Sequence, residues 1–249
     1  MPSAYAQPLS PRPTLQEEAP VPHGSLSLPA RLFLLGFDTE KGRVSGAPDI
    51  ELAVRAAALV ELARRRIISD VDGVVTPVFD ARTGDPVLDE LMELAEESRP
   101  RGWRTWIGYR SRATLDTVRR QLASEGYLSA ERKRVLGLFP VTRYGLERAG
   151  YVEVLRAEVL GALEGGGPVG RVDEDDAALA VLAATGKLRK LIPGKARRTH
   201  KVRLDQLTVR AGGISPELRQ ALGDIRAALA AAVRAAEASR ASDGGGGGG

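Results

Sequence analysis

Between Arg112 and Leu163 the spacing of apolar residues changes twice, and few folds accept that order. ATLDTVRRQLASEGYL sets Leu115, Val118 and Leu122 at intervals of three and four, the stripe of an amphipathic helix. Gly126, able to take the left-handed conformation that closes a helix, ends it, and Tyr127-Leu128 opens an extended segment. Val135, Leu136, Leu138, Phe139 and Val141 then crowd around Pro140, with Gly145 as a turn former, which predicts an apolar β-hairpin near 134–148. Helical spacing returns with Val152, Leu155, Val159 and Leu163 on one face and stops at Gly165-Gly166-Gly167. A helix, an apolar hairpin and a second helix form one unit.

The remaining chain reads mostly as helix. Residues 1–24 are rich in proline and lack periodicity, as expected of a disordered tail. Leu28-Pro29 opens a helix expected to run on to Asp38, and DTEKGRV reads as a turn. Asp49 is placed to cap the next helix, with Ile50, Val54, Ala57 and Val60 or Leu62 facing the core and Arg64 to Arg66 at its C-terminal end, where cations suit the helix dipole. Asp72-Gly73 between Ile67-Ile68 and Val74-Val75 predicts two short strands joined by a two-residue turn. Gly84-Asp85-Pro86 starts a helix rich in Glu, and Asp173 to Asp176 give a helix running to Ile192 an acidic N-terminus rather than a metal site. Ser215-Pro216-Glu217 opens a last helix of mostly alanine and leucine. The fold class is therefore mainly α: one helical domain over 25–235 with a short two-stranded element and a protruding apolar β-hairpin. Residues 236–249 are expected to form a flexible Gly-rich tail.

Composition narrows the chemistry. The chain has no cysteine and two histidines, His23 in the Pro-rich tail and His200 in a basic run, so thiolate sites, zinc sites and serine–histidine–aspartate triads have almost no material. A binding role without metal or cofactor is expected, not an enzyme. The N-terminus lacks the charged and apolar regions of a signal peptide and no segment has the length of a membrane span, which points to a cytoplasmic protein. The net charge of +4 is unevenly spread. From Arg99 to Arg120 seven arginines face one acid, Asp116, with Trp103, Trp106 and Tyr109 interleaved; from Lys187 to Arg210 nine basic residues face Asp205. Either run could meet an anionic surface, or simply be solvated helix ends. Trp106 is expected to be packed in the core.

LPARLFLLGFDTEKGRV, AVRAAALVELARRRI, GDPVLDELMELAEES, SEGYLSAERKRVLGLFPVTRYGLERAGYVEVLRAEVL and DAALAVLAATGKLRKLI, in that order and spacing, resemble the Golgi phosphoprotein 3 family. The match spans nearly all of Leu28 to Val233, and the shorter stretch between Trp106 and Leu122 suggests a bacterial member. The resemblance implies a peripheral membrane protein that binds phosphatidylinositol 4-phosphate through an indole and several arginines. It also gives Leu136, Leu138 and Phe139 of the hairpin a membrane-facing or subunit-contacting role, the latter as a route to a homo-oligomer. Arg55 matches one family arginine. Counting back from Gly126 puts Arg112 on a second and Leu115 on a third, while Gly46 stands at the indole position. Anion binding through Arg55 and Arg112 is thus expected, with little selectivity among anionic lipids. Two simpler readings stand beside it: Arg55 could pair with Glu51 one turn earlier, and the hairpin residues could be core. A different class of function, a winged-helix DNA-binding regulator with the helix from Arg112 to Glu125 in the major groove, also suits the order of elements, although a greasy wing tip argues against nucleic acid.

Overall fold

The computed structural model describes residues 26–38, 41, 43–44, 49–135 and 139–243. Helix α1 (Leu28–Leu35) carries Pro29 in its first turn, where a missing N–H costs nothing, and is buried along its whole length. It stops at Leu35 rather than Asp38. A Cβ on Gly36 would lie 2.4 Å from Ile50 Cδ1, so the glycine lets the end of α1 abut the next helix. Phe37 then packs edge-on against Phe33, ring centroids 5.4 Å apart. Strand β1 (Phe37–Asp38) pairs antiparallel with β2 (Arg43–Val44), where the sequence suggested only a turn.

Helix α2 (Ile50–Arg64) follows, and then β3 (Ile68–Val71) and β4 (Val74–Pro77), joined as expected through Asp72 and Gly73. Both turn residues have positive φ, 53° and 82°, the mirror-image turn that matches strand twist. Asp85 caps α3 (Pro86–Glu96), accepting from the Val87 and Leu88 N–H groups. The aromatic part of the first basic run forms an unanticipated short helix, α4 (Trp103–Gly108), before α5 (Ser111–Ser124). Trp103 and Trp106 are both buried. The hairpin is longer than its apolar residues suggested: β5 (Leu128–Val135) pairs with β6 (Phe139–Leu146) from Leu128↔Leu146 to Val135↔Phe139. Gly145 is not a turn residue but lies in β6 opposite Ser129, whose Oγ a Cβ there would approach to 2.7 Å. Leu136 and Leu138 lie outside the described residues, and only the backbone of Phe139 is described.

Helix α6 (Ala149–Glu164) ends in the glycines, and a 3-10 turn at Val169–Arg171 leads to α7 (Glu174–Thr185), capped by Asp173. The helix ends at Thr185, short of Ile192, because the backbone turns left-handed at Lys187 and sends Leu188, Leu191 and Ile192 into the core as a loop. Helices α8 (Gly194–Thr199), α9 (Lys201–Ala211) and α10 (Pro216–Asp243) complete the chain. Residues 236–243 are thus helix, not tail: Glu237 accepts from Lys187 and Arg189, and Arg240 clamps the buried Asp49. Asp49 gives its carboxylate to Arg240 instead of capping α2.

The centre of this mainly α domain is α2. Helices α1, α3, α4, α5, α7 and α10 all touch it, and it is buried from Leu52 through Ala63, far beyond the single stripe read from sequence. Ala53, Ala56, Ala57 and Ala58 make this possible, since small side chains let neighbouring helices approach from several sides. Gly186, just after α7, comes so near that a Cβ there would meet Ala53 Cβ at 2.6 Å.

Candidate anion site around Arg55

A helix surrounded by others cannot easily carry a charge, yet α2 carries Arg55, which is 1% exposed. Its Nη2 donates to the Arg110 carbonyl at 2.8 Å, while Nε and Nη1, both buried, have no hydrogen-bond partner. Burial lowers its pKa to about 10, with Glu90 pulling the other way, so it remains a cation at neutral pH. Glu51 does not pair with it; the partner is a backbone carbonyl.

Arg55 forms one wall of a cavity of about 170 Å³ between α2, α3 and the start of α5, whose other polar lining is Arg110, Thr114, Glu90, Glu93 and Glu97. Arg110 has φ 52°, and this left-handed backbone joins α4 to α5 and places its carbonyl on Arg55. No side chain caps α5, in contrast to Asp85 on α3 and Asp173 on α7, so the positive end of its dipole is left without an acid. Glu90 accepts from Thr117 Oγ1 and lies 3.7 Å from Arg120. The cavity thus has at its wall a buried cation, Arg55, whose unpaired Nε and Nη1 are themselves enclosed, and a bare helix N-terminus beside carboxylates.

Only one of the two arginines expected here is in the lining. Arg112 lies one residue inside α5, exposed and outside the cavity. Arg110, two residues earlier, is in the lining. No sequence signal marks it, because its left-handed conformation falls on an arginine and not on the usual glycine or asparagine. Leu115 is core, 2% exposed, and Gly46 lies outside the described residues.

The second basic run is largely structural. Lys187 and Arg189 bind Glu237, Arg197 donates to the Ala184 carbonyl, Arg203 to those of Ala162 and Gly167, and Arg210 binds Glu174. The acids at 173–176 cap α7 and pair with arginines, and no group suited to a metal occurs among the described residues.

The sequence profile of the Golgi phosphoprotein 3 (GPP34) family matches residues 28–237. The chain belongs to the Golgi phosphoprotein 3 family. No curated protein matches it. In this Golgi phosphoprotein 3 family protein the match begins at the first residue of α1 and ends inside α10, and so takes in the Arg55 cavity and the long hairpin. No helix among the described residues is long and apolar enough to cross a membrane.

Proposed function

We propose that this protein is a peripheral membrane protein of the cytoplasmic face, a binding protein and not an enzyme, that holds the phosphate of an anionic lipid head group against Arg55. The observation that carries this reading is a guanidinium buried with two of its nitrogens unpaired, at the wall of a cavity that also receives an uncapped helix N-terminus. A phosphate oxygen that reached them, through a small movement of the cavity wall, would satisfy donors that the fold leaves unpaired, and such unmet donors are rare in folded proteins. Phosphatidylinositol 4-phosphate, the head group that the family resemblance suggests, is the reference ligand. The hairpin supplies a second, apolar contact, since one weak signal rarely anchors a protein to a membrane by itself.

Vesicle sedimentation tests the reading. Phosphatidylcholine vesicles doped with an acidic lipid should retain the wild-type protein and lose the Arg55→Met variant, whose fold circular dichroism would verify. Serine at both Leu138 and Phe139 should weaken binding by an amount that salt does not change, because the apolar contribution of about 1.5–3 kcal/mol per fully inserted side chain is not screened. Retention of the folded Arg55→Met variant as efficiently as the wild type would sink the assignment.

A further inference from the structure

Part of the second basic run is not used by the fold, and that part lies together. Lys195, Arg198 and Lys201 recur every three residues over α8 and the first residue of α9. All are exposed, and none makes an ion pair or side-chain hydrogen bond among the described residues. The guanidiniums of Arg197 and Arg198 both reach over Gly194, within 3.4 and 3.8 Å of where a Cβ on it would lie. Burial lowers the Arg197 pKa, and Arg189 and Arg198 lower it further, so the cations repel one another and Glu237 offsets them only in part.

Beyond Lys201 one exposed stripe of α9 is apolar. Val202 and Val209, 71% and 53% exposed, stand two turns apart with Gln206 between them on the same side. Gln206 and Val209 form one wall of a groove of about 720 Å³, and the segment from Gly166 to Gly170 forms the other. The acid of this helix, Asp205, is held by Arg226. Nothing in the fold demands the glycines Gly166, Gly167 and Gly170: none has positive φ, and a Cβ on any of them would meet no atom within 4 Å. Their effect is a wall without side chains, which a second backbone can approach closely. The groove also lies away from the Arg55 cavity. Ala53, which Gly186 abuts, and Arg55 are two residues apart on α2, about 200° around the helix, so α7 covers the side opposite the cavity. Helix α9 packs on α7, with Arg197 on the Ala184 carbonyl at one end and Arg210 on Glu174 at the other.

We infer that the α9 groove docks a short amphipathic helix of another protein, with its aliphatic residues on Val202 and Val209 and its acidic residues on Lys195, Arg198 and Lys201. The two valines are ~10 Å apart along α9, the spacing of anchors two turns apart on a bound helix. The unpaired cations at one end of the groove fix the sign of the partner's charge and speed the encounter. A flat bilayer does not enter a groove walled on both sides, and the bilayer contact proposed above lies at the Arg55 face. The choice of a polypeptide over a bilayer rests on that reading; the groove and its charge do not. The protein would then hold a membrane on one face and an acidic partner on the other.

Fluorescence anisotropy with two labelled synthetic helical peptides tests this on the full chain. One carries leucines on one face and glutamates on the other, and its counterpart has lysine for every glutamate. The glutamate peptide should bind about tenfold more tightly than the lysine peptide. Gly170→Leu, which puts a side chain into the groove where the fold leaves room, should weaken it about tenfold, as should Val202→Ser with Val209→Ser, and neither loss should depend on salt. Lys195→Gln, Arg198→Gln and Lys201→Gln together should weaken it about tenfold at low salt and less at high salt. Circular dichroism should show all three variants folded. Equal binding of the two peptides, binding of neither, or undiminished binding by folded Gly170→Leu overturns the inference. Sedimentation with acidic vesicles should be unchanged in the triple glutamine variant; a loss as large as that of Arg55→Met makes the cations a membrane contact and overturns the polypeptide. A dimer in analytical ultracentrifugation that Val202→Ser with Val209→Ser dissolves gives the groove to a second copy and overturns a foreign partner. Full vesicle retention of Arg55→Met overturns the membrane reading alone and leaves the peptide result standing.

Discussion

Two arginines of the core, Arg31 and Arg55, are equally hidden from water and differently used. Arg31 on α1 donates to Asp175 of α7, which also accepts from Arg64 of α2, so one carboxylate ties three helices together. Burial pushes the Asp175 carboxyl up, but Arg31 and Arg64 outweigh it and hold it below the usual value. Arg55 has no such partner. It rests on one carbonyl, at the wall of a cavity, with two buried nitrogens unpaired. Burial of a charge is thus silent about its role, and the partner decides: a shared carboxylate makes Arg31 part of the scaffold, while Arg55 has only a carbonyl to hold it.

Substitutions that treat the two sites alike should give unlike results. The largest loss of stability is expected for Asp175→Ala, which strands two arginines; thermal unfolding should show a cost of about 2–3 kcal/mol, less than for a fully buried cluster because the carboxylate is partly exposed. Arg31→Met should cost about 1–2 kcal/mol, because Asp175 keeps Arg64 while losing its more buried partner. A stabilisation comes next. Burial, with Glu158 and Asp173 nearby, raises the Asp176 carboxyl from 3.8 to about 6. A raised carboxylate contributes stability below its unfolded pKa that is lost as pH rises through the folded one, so Asp176 works increasingly against the fold from about pH 4 to 6 and fully above that. Asp176→Asn should flatten that slope and raise stability at pH 7 by about 1 kcal/mol after allowance for solvent, or about 2–4 °C in Tm. Asp175, with its lowered value, acts in the opposite sense, its stabilisation being lost only as pH falls below the ordinary carboxylate range. The smallest change in stability is expected for Arg55→Met, within about 1 kcal/mol of the wild type and of either sign, since a buried charge without a carboxylate gives way to an apolar side chain of similar length. Its lipid binding should nevertheless fall about tenfold, equivalent to the loss of one charge-assisted contact. A folding defect in Arg55→Met as large as in Arg31→Met would erase the distinction between the two sites.

The elements that were legible in the sequence are those whose signals are local. Asp85-Pro86 and Asp173 start helices because a short acidic side chain reaches the N–H groups of the next turn, and Asp72-Gly73 turns a hairpin because two adjacent residues accept positive φ. The site was legible only in part. Arg55 stood out through resemblance, but the choice between Arg110 and Arg112 depends on how α4 and a left-handed residue use up the chain before α5. A stretch of arginines and tryptophans gave no periodicity from which to count.

By itself the sequence determined the helical class, the hairpin between α5 and α6, and the family, since all three follow from spacing within a few turns or from the order of segments. Only the tertiary structure decided what each charge is for. The basic run from Lys187 to Arg210 read either as a surface for anions or as solvated helix ends, and five of its nine cations instead join parts of the domain, because their partners, Glu237, Glu174 and carbonyls at the ends of α6 and α7, meet them only after folding. Arg55 stood out only through resemblance, with Glu51 as its nearest alternative partner. Six helices closed around α2 and gave it a backbone carbonyl as its hydrogen-bond partner, with Glu90 acting on it only through the field. Hydrogen bonds act over about 3 Å, and which groups come that close is a property of the packed chain.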